Sequence, residues 1–209
     1  MLMNFGGFVP LSTVDWHGRA VCTVFFRGCS ARCFYCHNKH LQRGLKVAIH
    51  TNGAFPEHVP GLIGEVDKVS LDIKAAWEHY YDVTDLNCAR HVQASLARYR
   101  DAYAAGTLPE FEVVHTVIRG HEADVPAVAA AAEGVDLVLQ QGVWGREPPL
   151  NLAEFQTLAD SLARPVKIRT KDVGEVLYDK GVFTVGGSMK VTDPKQIPAY
   201  YKGGVPDGD

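Results

Sequence analysis

The sequence predicts an α/β fold, with a mainly parallel sheet or barrel whose strands are joined by right-handed crossovers. Short apolar segments rich in β-branched residues alternate along the chain with segments of helical periodicity, as in successive βαβ units. The chain has 209 residues, which is enough for one large domain with a buried core. In such folds the functional loops are expected at the carboxyl ends of the strands.

Six segments are predicted as the strands of this body. They are residues 20–27, 46–50, 68–73, 111–118, 135–140 and 166–170. The chain then changes character, because residues 175–178 and 182–185, joined by Asp179-Lys180-Gly181, predict a β-hairpin appended to the body. After Pro194 we expect a flexible or draped tail.

Helices are predicted between the strands, in residues 56–64, 87–106, 124–133 and from 151 onward. The clearest is the second, whose apolar residues recur at helical spacing: Val92, Leu96, Tyr99 and Tyr103. Asn87 is its expected N-cap, and Gly106 its expected stop. Asn151, followed three residues later by Glu154, resembles a capping box.

Composition excludes several function classes. A formal net charge of -3, with 46% hydrophobic and 22% charged residues, is unlike a polybasic nucleic-acid binder or a disordered tail. The longest apolar runs, residues 20–26 and 125–132, are far shorter than the roughly 20 residues that span a bilayer. No basic segment precedes the apolar N-terminus. We therefore expect a cytoplasmic globular protein, with neither membrane nor nucleic acid as a partner.

Three of the five cysteines, Cys29, Cys33 and Cys36, form a C-x3-C-x2-C pattern directly after the first predicted strand. Such crowding favours a metal site in a reducing compartment over a disulfide framework. Three thiolates on one loop suit an iron–sulfur cluster with one iron open to another ligand. A structural zinc completed by His37 or His40 is the alternative.

Residues 5–41 contain the runs GGFVPLSTVDWHGRA and FFRGCSARCFYCHNKHL. They resemble the N-terminus of radical S-adenosylmethionine (SAM) enzymes of the glycyl-radical-activase type. Within these, the chain is most similar to the activating proteins of anaerobic ribonucleoside-triphosphate reductase, particularly the longer archaeal forms. Four later segments occur in the order that such activases show: HTNG at 50–53, SLDIK at 70–74, TVIRG at 116–120 and LQQG at 139–142.

The resemblance implies a partial (β/α) TIM-like barrel over residues 1–170, with a C-terminal hairpin and tail over residues 171–209. It implies a [4Fe-4S] cluster held by Cys29, Cys33 and Cys36, with SAM chelating the fourth iron. Reductive cleavage of SAM would give a 5′-deoxyadenosyl radical that installs a glycyl radical on the reductase or a similar partner. A low-potential electron donor is the second implied partner.

The resemblance also implies the contacts to SAM. Tyr35 corresponds to the aromatic residue beside the adenine, and Asn38 to a residue that braces the cluster loop. Asp72 and Lys74 match a D-x-K motif, whose lysine can pair with the SAM carboxylate. Thr51 and Asn52 follow the predicted strand of residues 46–50 and are expected near SAM. They complete the set of SAM contacts that the resemblance implies.

One departure from the family is large. Activases carry a Gly-Gly-Glu motif that holds the SAM amino group, and this chain has none. Gly44 runs directly into the next predicted strand, so one helix–strand–helix unit, on the order of 30 to 60 residues, is missing. We expect weakened SAM binding, and we expect the remaining strands to close up across the gap. Two alternatives follow: a radical SAM enzyme with another substrate, and a degenerate protein that holds a cluster or metal without catalysis.

Overall fold

The computed structural model describes residues 5–12, 21–26, 47–143 and 146–198. For residues 5–12 and 21–26 it describes the backbone alone. The predicted cluster ligands Cys29, Cys33 and Cys36, and the predicted SAM contacts Tyr35 and Asn38, lie outside the described residues.

The first two strands form a sheet of their own. Strand β1 (Phe5–Ser12) pairs antiparallel with β2 (Val21–Phe26), with irregular register near both ends of β1. This corrects the expectation that β2 is the first strand of the parallel sheet. An antiparallel pair of sequence neighbours needs only a short connection, whereas parallel pairing with the next strand requires a long crossover.

The main sheet has eight strands in sequential order, from β3 at one edge to β10 at the other. The strands are β3 (Ala48–Thr51), β4 (Lys68–Asp72), β5 (Glu110–Val117), β6 (Asp136–Gln141), β7 (Val166–Thr170), β8 (Gly174–Asp179), β9 (Val182–Val185) and β10 (Met189–Val191). Strands β3 to β7 are parallel to one another, as predicted. Sequential parallel order is compatible with a partial (β/α) fold, although the described strands end at two edges and close no barrel.

The last three strands extend the same sheet. Strand β8 pairs antiparallel with β7, β9 with β8, and β10 with β9. Lys180 and Gly181, which join β8 to β9, both have positive φ, as a tight two-residue turn requires. The same sheet thus continues beyond residue 170. The division into residues 1–170 and 171–209 stays a prediction.

Five α-helices and four short 3-10 helices accompany the strands in the described residues. The α-helices are α1 (Val59–Leu62), α2 (Tyr80–Thr84), α3 (Ala89–Ala104), α4 (Val125–Ala131) and α5 (Leu152–Asp160). The 3-10 turns are Pro56–His58, Trp77–His79, Glu122–Asp124 and Pro194–Gln196. The segment of residues 77–84, which carries α2, was not predicted.

Helix α3 begins one residue later than predicted, with Cys88 rather than Asn87 at the N-cap. Gly106 follows the C-cap with φ of 73°, as predicted. The predicted capping box of α5 is confirmed: Asn151 accepts from the Glu154 amide, and the Glu154 carboxylate accepts from the Asn151 amide.

The core lies where the helices cover one face of the parallel sheet. Val69 and Leu71 of β4 and Ile73, which follows this strand, are fully buried, and α3 contributes Val92 and Tyr99. The described part of the chain contains no helix that is long and apolar enough to span a membrane.

Candidate functional site

Two neighbouring parallel strands, β3 and β4, bring four of the predicted site residues together at their carboxyl ends. In the register of β3 and β4, Thr51 lies opposite Leu71, so both strands end at the same level. Asn52 follows β3, and Asp72 and Lys74 stand at the end of β4. The predicted grouping of these residues at a carboxyl edge is therefore present in the fold.

The loop after β3 is tightly held. The Thr51 hydroxyl accepts a hydrogen bond from the Gly53 amide at 3.1 Å, and Asn52 Oδ1 accepts one from Ala54 at 3.1 Å. Ser95 of α3 donates to the Gly53 carbonyl at 2.7 Å. Since a hydroxyl that accepts one bond keeps its own hydrogen, Thr51 can still donate to a ligand.

Gly53 is required at this position for two reasons. Its φ of 68° lies in the left-handed region, and an added Cβ would come within 2.6 Å of the Leu71 side chain. The loop that carries Thr51 and Asn52 is thus fixed against the core.

Asp72 and Lys74 form an ion pair with each other. Lys74 Nζ lies 3.0 Å from Asp72 Oδ2, and both side chains are partly exposed, at 36% and 26%. A partly exposed pair contributes little to stability, so the Lys74 ammonium can turn toward an anionic ligand at small cost.

A cavity of about 250 Å³ opens beside this pair. Its lining residues are Lys74, Asp82, Val83, His115, Thr116, Ile118, His121 and Asp124. His115 and Asp124 are the buried members, at 2% and 5% exposure, whereas Asp82, Val83 and His121 are exposed. The cavity therefore combines buried polar groups with an open rim.

His115 is held in one tautomer. Its Nδ1 lies 2.8 Å from the Ile73 carbonyl oxygen, which can only accept, so Nδ1 carries the proton. Its Nε2 is buried and has no hydrogen-bond partner among the described residues. Burial lowers the pKa of His115, and this keeps the ring neutral with an unused lone pair at Nε2.

Asp124 is partnered by a histidine from another element. His79 Nδ1 lies 2.7 Å from Asp124 Oδ1, which ties the turn before α2 to the turn before α4. The hydrogen bond and the charge of Asp124 raise the pKa of His79 above its ordinary value.

Two other segments that carry the family resemblance have structural roles. Arg119 binds the Glu154 carboxylate with two bonds of 2.9 Å, and it also donates to the Pro148 carbonyl. Gln141 donates to the Leu150 carbonyl at 2.7 Å. These contacts position the connection between β6 and α5.

The amino-terminal end of the same strands carries a different set of charges. Glu112 is 1% exposed and lies 2.8 Å from both Lys68 Nζ and Ser70 Oγ, with Lys167 and Arg169 at 3.4 and 3.5 Å. Although burial alone would raise the pKa of Glu112, the hydrogen bonds from Lys68 and Ser70 and the nearby cations lower it to about 2.

Sequence reasoning missed His115, Asp124 and Glu112. His115 and Glu112 are the polar residues among the buried positions of β5, and polar residues within a run of Phe and Val are a signal that could have identified them. Cys88, which lies outside the C-x3-C-x2-C pattern, is a free thiol that is half-buried against the core. No group of three or more His, Cys, Asp or Glu within the described ranges could hold a metal ion.

No protein-family model matches the chain. The chain is similar to a protein of Methanocaldococcus jannaschii named "Putative glycyl-radical enzyme activating enzyme", with 24% identity over 123 residues. The match covers 35% of this chain and 51% of the relative, so the chain matches about half the length of that curated protein. This similarity supports the radical SAM activase family in broad terms.

The coverage of that match also bears on the missing unit. Because 35% of 209 residues is about 73, whereas the aligned stretch is 123 residues long, about 50 positions of the relative face a gap in this chain. That number of positions is about the size of the helix–strand–helix unit whose absence the resemblance implies.

Proposed function

We propose that this chain is an iron–sulfur, SAM-dependent radical enzyme of the glycyl-radical-activating type. The observation that carries the proposal is the C-x3-C-x2-C segment ahead of a parallel sheet that groups Thr51, Asn52, Asp72 and Lys74 at its carboxyl edge. The similarity to an activating enzyme also supports it. In this proposal Cys29, Cys33 and Cys36 are the cluster ligands, and a low-potential donor supplies the electron.

The described residues fit one end of SAM. Its carboxylate requires a cation and hydrogen-bond donors, and the partly exposed Lys74 ammonium and the Thr51 hydroxyl provide both. Asp72 holds Lys74 in place until a ligand carboxylate competes for it. When bound, the cluster and SAM would supply a 5′-deoxyadenosyl radical, and the protein's part is ligation, orientation and exclusion of water.

The expected partner is a glycyl-radical enzyme, such as an anaerobic ribonucleotide reductase. The name of the relative supports this class of partner. If the proposal is correct, incubation of the reconstituted, reduced protein with SAM and such a reductase produces the electron paramagnetic resonance signal of a glycyl radical. Release of 5′-deoxyadenosine without that signal would favour a radical SAM enzyme with another substrate.

A second candidate is a protein that binds a cluster but does not cleave SAM. The absence of a Gly-Gly-Glu sequence favours it, because that motif holds the SAM amino group in the activases that the chain resembles. The roughly 50 positions of the relative without a counterpart in this chain point the same way. Cluster assembly without release of 5′-deoxyadenosine from SAM, in dithionite-reduced protein, would establish this candidate and exclude the first.

The cluster itself is tested by anaerobic reconstitution followed by iron, sulfide and zinc analysis. We expect about four irons per chain. Cys33→Ala should abolish cluster retention, whereas the matched variant Cys22→Ala should retain it. Uptake of one zinc without an iron–sulfide chromophore, or equal loss in both variants, would contradict the proposal.

The SAM contact is tested by equilibrium binding to the reconstituted protein. Lys74→Ala should weaken SAM binding about tenfold or more, since it removes a charge-assisted hydrogen bond. Lys195→Ala, at an exposed lysine far along the chain, is the control and should leave binding unchanged. Equal affinities in the two variants would exclude Lys74 from the site.

A further inference from the structure

We propose that the cavity between β4, β5 and α2 binds the primary ammonium group of a small ligand, held by Asp124 and His115 inside and by Asp82 at the rim. This inference does not require the cluster or SAM, and it can be tested on the protein without either.

The cavity has the form of a small binding pocket. At about 250 Å³ it is smaller than the cavities that take drug-sized molecules, so it suits a group of a few heavy atoms. Val83 and Ile118 provide an apolar wall, whereas His115 and Asp124 provide buried polar groups. A ligand with an alkyl chain that ends in a polar group could place the chain against the apolar wall and the polar group beside His115 and Asp124.

His115 requires a hydrogen-bond donor. Because Nδ1 donates to the Ile73 carbonyl, the unpartnered Nε2 can only accept. A buried acceptor without a partner destabilises the protein, and a ligand that donates to it recovers that loss. A fully deprotonated anion, such as a carboxylate, lacks the hydrogen that Nε2 needs.

The charges of the lining favour a cation. The Lys74 ammonium is balanced by Asp72 at 3.0 Å, so the negative charge of the lining comes from Asp82 at the rim and from the Asp124 oxygen that does not contact His79. His79 contacts one oxygen of Asp124, at 2.7 Å. A primary ammonium has three donors and a positive charge, so it can satisfy a carboxylate and Nε2 together.

A metal ion fits this cavity less well. A neutral histidine whose Nδ1 binds a carbonyl is a common metal ligand, but a bound ion needs several such groups at short distance. In the described portion of the chain, no three His, Cys, Asp or Glu residues meet in that way. Metal binding is therefore an outcome that would overturn the proposal.

The test is titration of the 209-residue protein with n-butylammonium chloride. Calorimetry measures the binding, and the nuclear magnetic resonance signals of the His115 ring report where it occurs. We expect saturable binding with a Kd on the order of millimolar. The His115 signals should shift along the same curve. n-Butanol, which has the same alkyl chain without the charge, should bind at least tenfold more weakly.

Two variants on one side of the cavity provide a matched comparison. Asp82→Asn removes a rim carboxylate and should weaken n-butylammonium binding about fivefold or more. Asp85→Asn changes an exposed aspartate three residues further on that does not line the cavity, and should have no effect. Both sites are exposed, so both variants are expected to fold.

Several results would overturn the proposal: equal binding of butanol, equal effects of the two variants, unchanged His115 signals at saturation, or stoichiometric zinc binding that shifts those signals.

L-Norvaline carries the same ammonium together with a carboxylate. Tighter binding of norvaline than of butylammonium, lost in Lys74→Ala, would identify an amino acid as the source of the ammonium. The reverse order would identify a simple amine.

Discussion

The two ends of the parallel sheet use charged residues in opposite ways. At the amino-terminal end, Glu112 is buried and contacts a serine and several cations. At the carboxyl end, Asp72 and Lys74 form an ion pair with each other, and Nε2 of His115 has no hydrogen-bond partner among the described residues. In the first arrangement the buried carboxylate has a full set of partners, whereas the second keeps an acceptor and a partly exposed ammonium available to a ligand.

The difference separates a stabilising cluster from a binding site on the same strands. A buried carboxylate is tolerated only when its partners are complete, so the Glu112 cluster is a fixed part of the fold. A partly exposed ion pair contributes little to stability, and a buried acceptor without a partner lowers it, so both can gain a partner when a ligand binds. We therefore expect substitutions at the two ends to have different readouts.

The largest expected effect is at the amino-terminal end. Glu112→Gln removes the charge that balances Lys68 and Lys167, and it should lower the free energy of unfolding by about 3 kcal/mol. Urea-induced unfolding measures this loss. Asp136→Asn is the control: it also contacts Lys167, but its side chain is 60% exposed, so its effect should stay below about 1 kcal/mol. Equal losses would contradict the contrast between the ends.

A pH series tests the same carboxylate. The pKa of Glu112 is lowered to about 2 in the folded protein from 4.5, so its contribution is present above pH 4.5 and is lost as the pH falls toward 2. The contribution is about 3 kcal/mol at neutral pH. The difference in unfolding free energy between the wild type and Glu112→Gln should therefore shrink steadily between pH 4.5 and 2. A difference that stays constant would exclude Glu112 as its source.

At the carboxyl end of the sheet, two glycine substitutions measure how much the close packing of the loop after β3 contributes to stability. Gly53→Ala combines a positive φ with a clash against Leu71, and should destabilise the protein by about 2–3 kcal/mol. Gly106→Ala has a similar φ of 73° but open space around it, so about 1 kcal/mol is expected. If the two variants lose equal stability, the loop that carries Thr51 is not fixed by close packing.

Much of the parallel body was predictable because its signals are local. Apolar runs set strands β4 to β7 within one or two residues, and the Asn151–Glu154 box set the start of α5. The placement of β2 was not predictable in this way. The same apolar run can pair with a neighbour in either direction, and the choice depends on the partner rather than on the run itself.

The site was predictable in part for the same reason. Asp72 and Lys74 follow a strong strand pattern, so their position at the carboxyl edge follows from parallel topology. The contact between His79 and Asp124 joins residues 45 positions apart in sequence, and no local pattern indicates it. Long-range pairs of this kind depend on how helices and turns pack over the sheet.

The smallest expected effect concerns the contact that joins those two turns. The pKa of His79 is raised by its hydrogen bond to Asp124, so the charged ring strengthens the link at low pH. This contribution is fully present below pH 6.5 and is lost as the pH rises through the folded pKa. Nuclear magnetic resonance titration of His79 should show the raised pKa, and Asp124→Asn should return it toward 6.5. Because His79 is largely exposed, the shift should also shrink at high salt; an unchanged pKa in Asp124→Asn would show that the link between the turns is not electrostatic.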